Sequence, residues 1–285
     1  MKLGIIVNCA GYDKECNPAN IKLMEEVFPE LEKLDIEVNL IMPNSDWIKT
    51  QADKHTKNLT SQSEEAVERL LNSKNNKGII VKDCIQEFIE DDCRAVLHID
   101  GSGKFDLKDI VSITQMILDP PNQAILTKRD ISGMIKFRTL LEDFERQRIL
   151  NKYPYAKILD GQSGCWAFKL FNGFKSGYIT AKGYEIELDI LINILEFKLN
   201  IAWLPIKIKN TKVTNFTFDA NIQKIEWLSK RLEIRKEEIL KSLKIFQSKN
   251  TIKILEAEKE AKELGLSECT FSNYAEHIEK SENFF

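Results

Sequence analysis

The stretch Asn75–Lys104, NNKGIIVKDCIQEFIEDDCRAVLHIDGSGK, decides how the chain folds. It reads as a turn, a helix over Gly78–Ile89, a short apolar strand at Ala95–Val96–Leu97, and then Asp100, where the strand runs into a glycine-rich turn. Open α/β sheets bind ligands just outside the carboxyl ends of their strands, so a carboxylate there is a candidate binding group. Gly101 and Gly103 lack a Cβ and let the backbone approach a bulky charged group. The ligand chemistry that fits is a phosphorylated small molecule.

Working outward, the chain alternates strands and helices. Leu3–Val7 is a short apolar run, a first parallel strand. Ile21–Leu34 places apolar residues at helical spacing, with Asn20 as a cap. Ile36–Met42 is a second strand, and residues 44–62 read as a polar loop with a short helix, continued by helix at Ala66–Leu71. Asp106–Leu118 is a helix stopped by Asp119-Pro120-Pro121, and Ala124–Thr127 is a strand. Residues 131–150 read as a polar helix, Cys165–Leu170 as a strand, Tyr184–Leu195 as an amphipathic helix and Ile201–Ile208 as a strand. This alternation predicts an α/β fold with a doubly wound, mainly parallel sheet. From Phe218 no Gly or Pro occurs before Gly265, and apolar residues recur at Ile225, Leu228, Leu232, Ile239, Leu243 and Phe246, with a break near Arg235. The reading is residues 1–217 as one domain and 218–285 as a helical C-terminal extension.

Bulk properties exclude several classes. With 285 residues the chain is long enough to bury a substantial core. Its 41 Lys+Arg against 44 Asp+Glu leave no basic surplus for a dedicated nucleic-acid binder. No apolar run is long enough to span a bilayer and no leader pattern opens the chain, so the expectation is a cytoplasmic protein with at most peripheral membrane contact. The six cysteines (9, 16, 84, 93, 165 and 269) are scattered without a C-x-x-C pair, which reads as reduced thiols. The three histidines are far apart, so no local histidine metal site is available.

Three blocks, in order, carry a family resemblance. Asn76-Lys77-Gly78 followed by Asp100-Gly101-Ser102 resembles the N-x-G-K-G and D-x-D blocks of the family-two glycosyltransferases, which share the GT-A fold and include the dolichyl-phosphate mannose synthases. LDGQSGCWAFK, with Asp160, Gln162, Ser163 and Gly164, resembles the acceptor-side D-x-x-S-G segment. AKGYEIELDILINILEFKLNIAWLPIKI resembles the G-Y-x-x-E-x-E-L-L helix and the strand after it. The resemblance covers roughly residues 1–215. It implies transfer of a sugar, with inversion, from a nucleotide-diphosphate donor to an acceptor that the sequence leaves open, a lipid phosphate or a glycan being candidates.

The same resemblance assigns residues. Asp100 is the metal-side carboxylate for Mg²⁺ or Mn²⁺, but Ser102 stands where relatives carry a second acid, and Lys104 follows two residues on. Either the diphosphate helps Asp100 hold the ion, or Lys104 replaces part of its charge. Tyr12, Asp13 and Glu15 stand in for the first-strand motif, while Asn44, Ser45 and Asp46 match the second-strand turn only in part. Arg129 and Arg138 are candidates to face phosphate oxygens, whereas Arg146 and Arg148 read as a solvated helix face. Asp160 is the acceptor-side carboxylate, with a turn role as the alternative. Trp166 reads as core. Of Glu185 and Glu187, which cannot share a helix face, Glu187 is the one turned to the cleft.

The tail from Asp219 holds 12 Lys+Arg against 13 Asp+Glu, so it reads as a packing element or a route to a homo-oligomer, not as a DNA reader. Two other function classes stay open. One is a catalytically reduced relative that binds a nucleotide sugar or a partner without turnover. The other is a nucleotidyltransferase, for which Asn8–Tyr12 lacks the glycine-rich loop.

Overall fold

The computed structural model describes residues 2–8, 18–42, 59–61, 77–100, 104–131, 133–171, 173–207 and 217–282. The chain divides into two compact units, Met1–Arg129 with Ser163–Asn210, and Asp130–Gln162 with Thr211–Phe285.

The first unit holds a seven-stranded sheet. Its strands are β1 (Lys2–Asn8), β2 (Glu37–Ile41), β3 (Leu59–Ser61), β4 (Ala95–Asp100), β5 (Ala124–Arg129), β6 (Cys165–Lys169) and β7 (Ile201–Ile206), ordered β3-β2-β1-β4-β6-β5-β7. Its helices are α1 (Pro18–Lys33), α2 (Lys77–Glu90), α3 (Leu107–Leu118) and α5 (Ile186–Glu196). The second unit holds α4 (Lys136–Lys152), α6 (Phe218–Leu232), α7 (Lys236–Lys249), α8 (Thr251–Glu263) and α9 (Phe271–Lys280).

β4 lies at the centre, and Ala95–Ile99 are all buried, which is why this strand reads as an unbroken apolar run. The chain leaves β1 toward β2 on one side, while β4 sits on the other, so the β1/β4 boundary is a topological switch point. Asn8 and Asp100 are register partners there. One face is covered by α1 and α3 through Met24, Val27, Phe28, Ile110, Ile113 and Ile117. On β1, Gly4 makes room for Phe88 of α2, because a Cβ would collide with that ring.

The sheet is mainly parallel, as the sequence reading expects, and β6, whose direction that reading left open, runs antiparallel between β4 and β5. One feature differs from the sequence reading. Leu59–Ser61, read as loop, is a short edge strand paired with β2. The helix expected at Ala66–Leu71 lies outside the described residues.

In the second unit, the helix that reads as polar contributes Phe137, Leu141 and Phe144 to a core shared with Ile225, Ile239, Leu243, Phe246, Phe271 and Tyr274. Phe137 and Phe246 both pack on Phe271, at ring separations of 5.1 and 5.7 Å. The tail's apolar stripe is therefore buried within its own unit, against α4. Thr217 caps α6 by accepting from the Ala220 N–H, and Glu233, with φ 57°, ends that helix at the break expected near Arg235.

Candidate functional site: a buried lysine at the switch point

The site is built on the start of α2. The amides of Gly78 and Ile79 both donate to the Lys182 carbonyl, at 3.1 and 3.4 Å. That approach requires Gly78, since a Cβ would lie 2.5 Å from the Ala181 carbonyl oxygen. The loop that supplies Lys182 is itself pinned from α5. Asp189 accepts from the Thr180 and Ala181 amides at 2.5 and 2.7 Å, and Glu185 accepts from the Lys182 and Gly183 amides at 3.0 and 3.1 Å. The block AKGYEIELD is thus a loop with its own carboxylate clamps.

This frame sets Lys77 between two carboxylates. Its ammonium donates to Glu187 Oε1 and lies 3.4 Å from Asp100 Oδ1. Lys77 and Glu187 are buried, while the Asp100 side chain is about one-third exposed. Burial alone would lower the lysine pKa, but Asp100 and Glu187 outweigh it, so the pKa is raised and the ammonium stays charged. Burial likewise opposes ionisation of Asp100, and Lys77 overcomes it, holding the carboxyl below its usual range.

The antiparallel direction of β6 brings its leading residues to the same sheet edge. The Asp100 amide donates to the Gly164 carbonyl at 2.8 Å, and His98 Nδ1 donates to the same oxygen at 3.0 Å. A carbonyl only accepts, so His98 carries its proton on Nδ1. Its Nε2 has no described partner, and burial, helped by Lys77, depresses its pKa to about 3. His98 stacks on Trp166 at 4.7 Å, in the core position expected for that indole. A Cβ on Gly164 would lie 2.6 Å from Asp100 Cβ. Thr127 donates its hydroxyl hydrogen to the Cys165 carbonyl at 2.5 Å, so the buried Ser163 hydroxyl donates to Thr127 Oγ1.

The remaining candidates fall as follows. Lys104 is half-buried ahead of α3, and Arg129 is buried at the end of β5. Among the described residues the cation paired with Asp100 is Lys77. In the second unit, Arg138 pairs with Glu142 along α4 at 2.9 Å, and Asp160 accepts from the Gln162 amide at 2.9 Å, a local turn. Gln162 sits in a buried cluster that sequence reading missed: its amide donates to Glu145, and it accepts from Lys224 at 2.9 Å. Lys224 is also 3.2 Å from Glu145, yet burial still pushes the Glu145 carboxyl up to about 7. Tyr12, Asp13, Glu15, Asn76 and Ser102 lie outside the described residues, as do Gly101, Gly103, Asn44, Ser45 and Asp46.

Among the described residues no group of three His, Cys, Asp or Glu is placed to hold a metal. Asp100, the more exposed of the two described carboxylates there, would hold an ion, and one of its oxygens already faces Lys77. No described helix is long and apolar enough to cross a membrane.

A mostly parallel sheet with a strand-end aspartate at the switch point and one antiparallel strand beside it is the fold of the GT-A-type glycosyltransferases. Solved structures of glucosyl-3-phosphoglycerate synthase from Mycobacterium tuberculosis share it. The complex with phosphoglyceric acid matches at 16% identity over 82% of this chain and 80% of that chain, TM-score 0.52. The complex with Mn²⁺, uridine diphosphate and phosphoglyceric acid matches at 15% identity over 81% and 78%, TM-score 0.54. A further mycobacterial protein matches at 15% identity over 82% and 75%, TM-score 0.51. No protein-family model matches the sequence, and no curated protein matches it.

Proposed function

We propose that this chain is a glycosyltransferase that takes a sugar from a nucleotide-diphosphate donor bound at the carboxyl end of β4. The observation that carries the reading is the strand-end Asp100, kept ionised by a buried lysine and partly open to solvent, on a fold shared with synthases solved with uridine diphosphate and Mn²⁺. Asp100 offers an anionic acceptor for donor hydroxyls, and Lys77 keeps it so. Glu187 fixes the lysine from the other side and is the nearer carboxylate to its charge. Gly164 and His98 hold the Asp100 backbone in register. A Mg²⁺ or Mn²⁺ ion, when bound, would be held by Asp100 and would take up charge on the departing diphosphate. With both described carboxylates of the site, Asp100 and Glu187, already paired to the Lys77 ammonium, metal dependence is weak.

The acceptor class we propose is a phosphorylated small molecule or lipid. Glucosyl-3-phosphoglycerate synthase, one fold neighbour, was solved with phosphoglyceric acid, and an acceptor that is already an anion needs no strong base. Asp160 is the proposed acceptor-side carboxylate, by its motif. Inversion at the anomeric carbon goes with that role and is read from the anomeric proton coupling of the product. The second reading is binding without turnover, and the lysine occupying one oxygen of the only described metal-side carboxylate favours it.

The test is a thermal-shift screen of nucleoside diphosphates and their sugars, with Mn²⁺ and with chelator, on the wild type and Asp100→Ala. Ligand binding to the folded state raises the melting temperature. The expected result is stabilisation by one nucleotide sugar, retained in part in chelator and abolished in Asp100→Ala. Absence of any nucleotide-dependent shift sinks the proposal. A shift without hydrolysis or transfer of the sugar selects the binding-only reading.

A further inference from the structure

Two helices of the second unit, α7 and α8, carry exposed residues that sugar transfer does not explain. Residues 239–255, ILKSLKIFQSKNTIKIL, span most of α7 and the first turn of α8 and contain no Asp or Glu, in a chain whose acids outnumber its bases. Their inward residues, Ile239, Leu243, Phe246 and Ile254, are buried in the unit's core. Three more aliphatics point the other way: Ile245, Ile252 and Leu255 are 45%, 75% and 63% exposed. Ile252 and Leu255 are three apart on one helix and so share a face.

Four lysines flank them. Lys241, Lys244, Lys249 and Lys253 are all exposed, and none pairs with a described carboxylate. Of the neighbouring acids, Glu237 is exposed one turn before Lys241, and the others are engaged elsewhere. Glu256 pairs with Lys136 at 3.3 Å, Glu260 accepts from the Lys136 amide, and Glu258 accepts from the Phe271 amide. Upstream, Glu238 pairs with Arg235. Soluble surfaces ordinarily interleave both signs and keep large aliphatics scattered.

We propose that α7 and the start of α8 form a docking face for an anionic membrane surface. Unpaired lysines are drawn to acidic headgroups, and the three aliphatics insert at the headgroup boundary, the division of labour of interfacial helices. A second copy of this chain is a poorer occupant, because a symmetric interface would set these lysines against one another. Nucleic acid is poorer too, since the exposed residues are aliphatic, with no arginine and no aromatic ring to stack on a base. The proposal does not depend on the sugar-transfer reading.

The test is co-sedimentation of the full chain with vesicles of phosphatidylcholine alone and of phosphatidylcholine with phosphatidylserine. The expected result is binding only to the anionic vesicles, weakened by salt. The double variant Lys249→Glu/Lys253→Glu should bind at least about tenfold more weakly. Ile252→Ser/Leu255→Ser, which leaves the charge unchanged, should also lose about tenfold. All four positions are exposed, so melting temperatures matching the wild type are the control for folding. Three results overturn the proposal: equal or absent binding to both vesicle types, anionic binding that neither variant weakens, or self-association or DNA binding that the variants abolish without any vesicle binding.

Discussion

Each unit buries a lysine against carboxylates, and the two pairings settle in opposite ways. Lys77 faces two acids, Asp100 and Glu187, and Asp100 is held below its ordinary range. Lys224 faces one, Glu145, whose carboxyl is pushed up to about 7. The difference is stoichiometry and access. Around Lys77 the ammonium meets two acids and one of them reaches solvent, so Lys77 and Asp100 stay ionised and Asp100 is open to a ligand. Around Glu145 desolvation outweighs a single cation, so a proton competes with the lysine. A buried ion pair is therefore not evidence of a binding site by itself; an excess of charge with an opening is.

The largest expected effect separates the lysines directly. Lys77→Met strands the nearly buried Glu187 and leaves the partly exposed Asp100 without its cation, and should cost about 3–5 kcal/mol of stability and abolish donor binding. Lys224→Met should cost about 1–2 kcal/mol, because Glu145 can take a proton instead. Urea midpoints of the two variants check this, and equal losses would break the contrast.

The next effect concerns pH. The Glu145 carboxyl is raised in the folded chain, so its contribution is complete below about 4.5 and is lost as pH rises through about 7. His98 has the opposite sign: buried and depressed to about 3, it contributes above its ordinary 6.5 and loses that contribution as pH falls. Asp100, also depressed, lies on the same side as His98. Glu145→Gln should therefore remove a loss of about 3 kcal/mol between about pH 5 and about pH 8, leaving the acid-side loss intact. Melting temperatures of both proteins at the two values test it. Parallel changes would show that Glu145 does not titrate there.

The smallest effects compare two glycines. Gly164→Ala drives a Cβ to 2.6 Å from Asp100 Cβ and should cost about 1–3 kcal/mol together with donor affinity. Gly265→Ala meets no atom but must hold φ 79°, which should cost about 1 kcal/mol and leave ligand binding alone. Donor affinity lost equally in both would mean that the Gly164 contact is not what matters.

Much of the fold was legible because its signals are local. β4 reads as a strand because both its faces are buried, and α1 and α3 show one apolar stripe each. The direction of β6 was not legible. Five residues, Cys165–Lys169, have the same composition either way, and their orientation is set by where the chain re-enters the sheet. The core role of α4 was hidden because its Phe137, Leu141 and Phe144 are diluted by charged neighbours such as Arg138, Glu142 and Arg146. Of the site, Asp100, Lys77, Gly78 and Glu187 were named, but not that one ammonium joins Asp100 to Glu187. Lys104 was offered, as one of two readings, to replace part of an ion's charge because it is near in sequence, whereas Lys77 reaches Asp100 by packing. The clamps Asp189 and Glu185, and the Glu145–Lys224 pair, join residues whose partnership no spacing rule announces.

The link from Lys77 to Glu187 spans 110 positions of chain. Closing so long a loop is entropically costly until the intervening sheet already holds its ends near each other. A growing polypeptide that ends before residue 187 has the cation and one acid but not the second. During synthesis the charge balance of the site therefore waits for residue 187, and a shorter chain is electrostatically incomplete there.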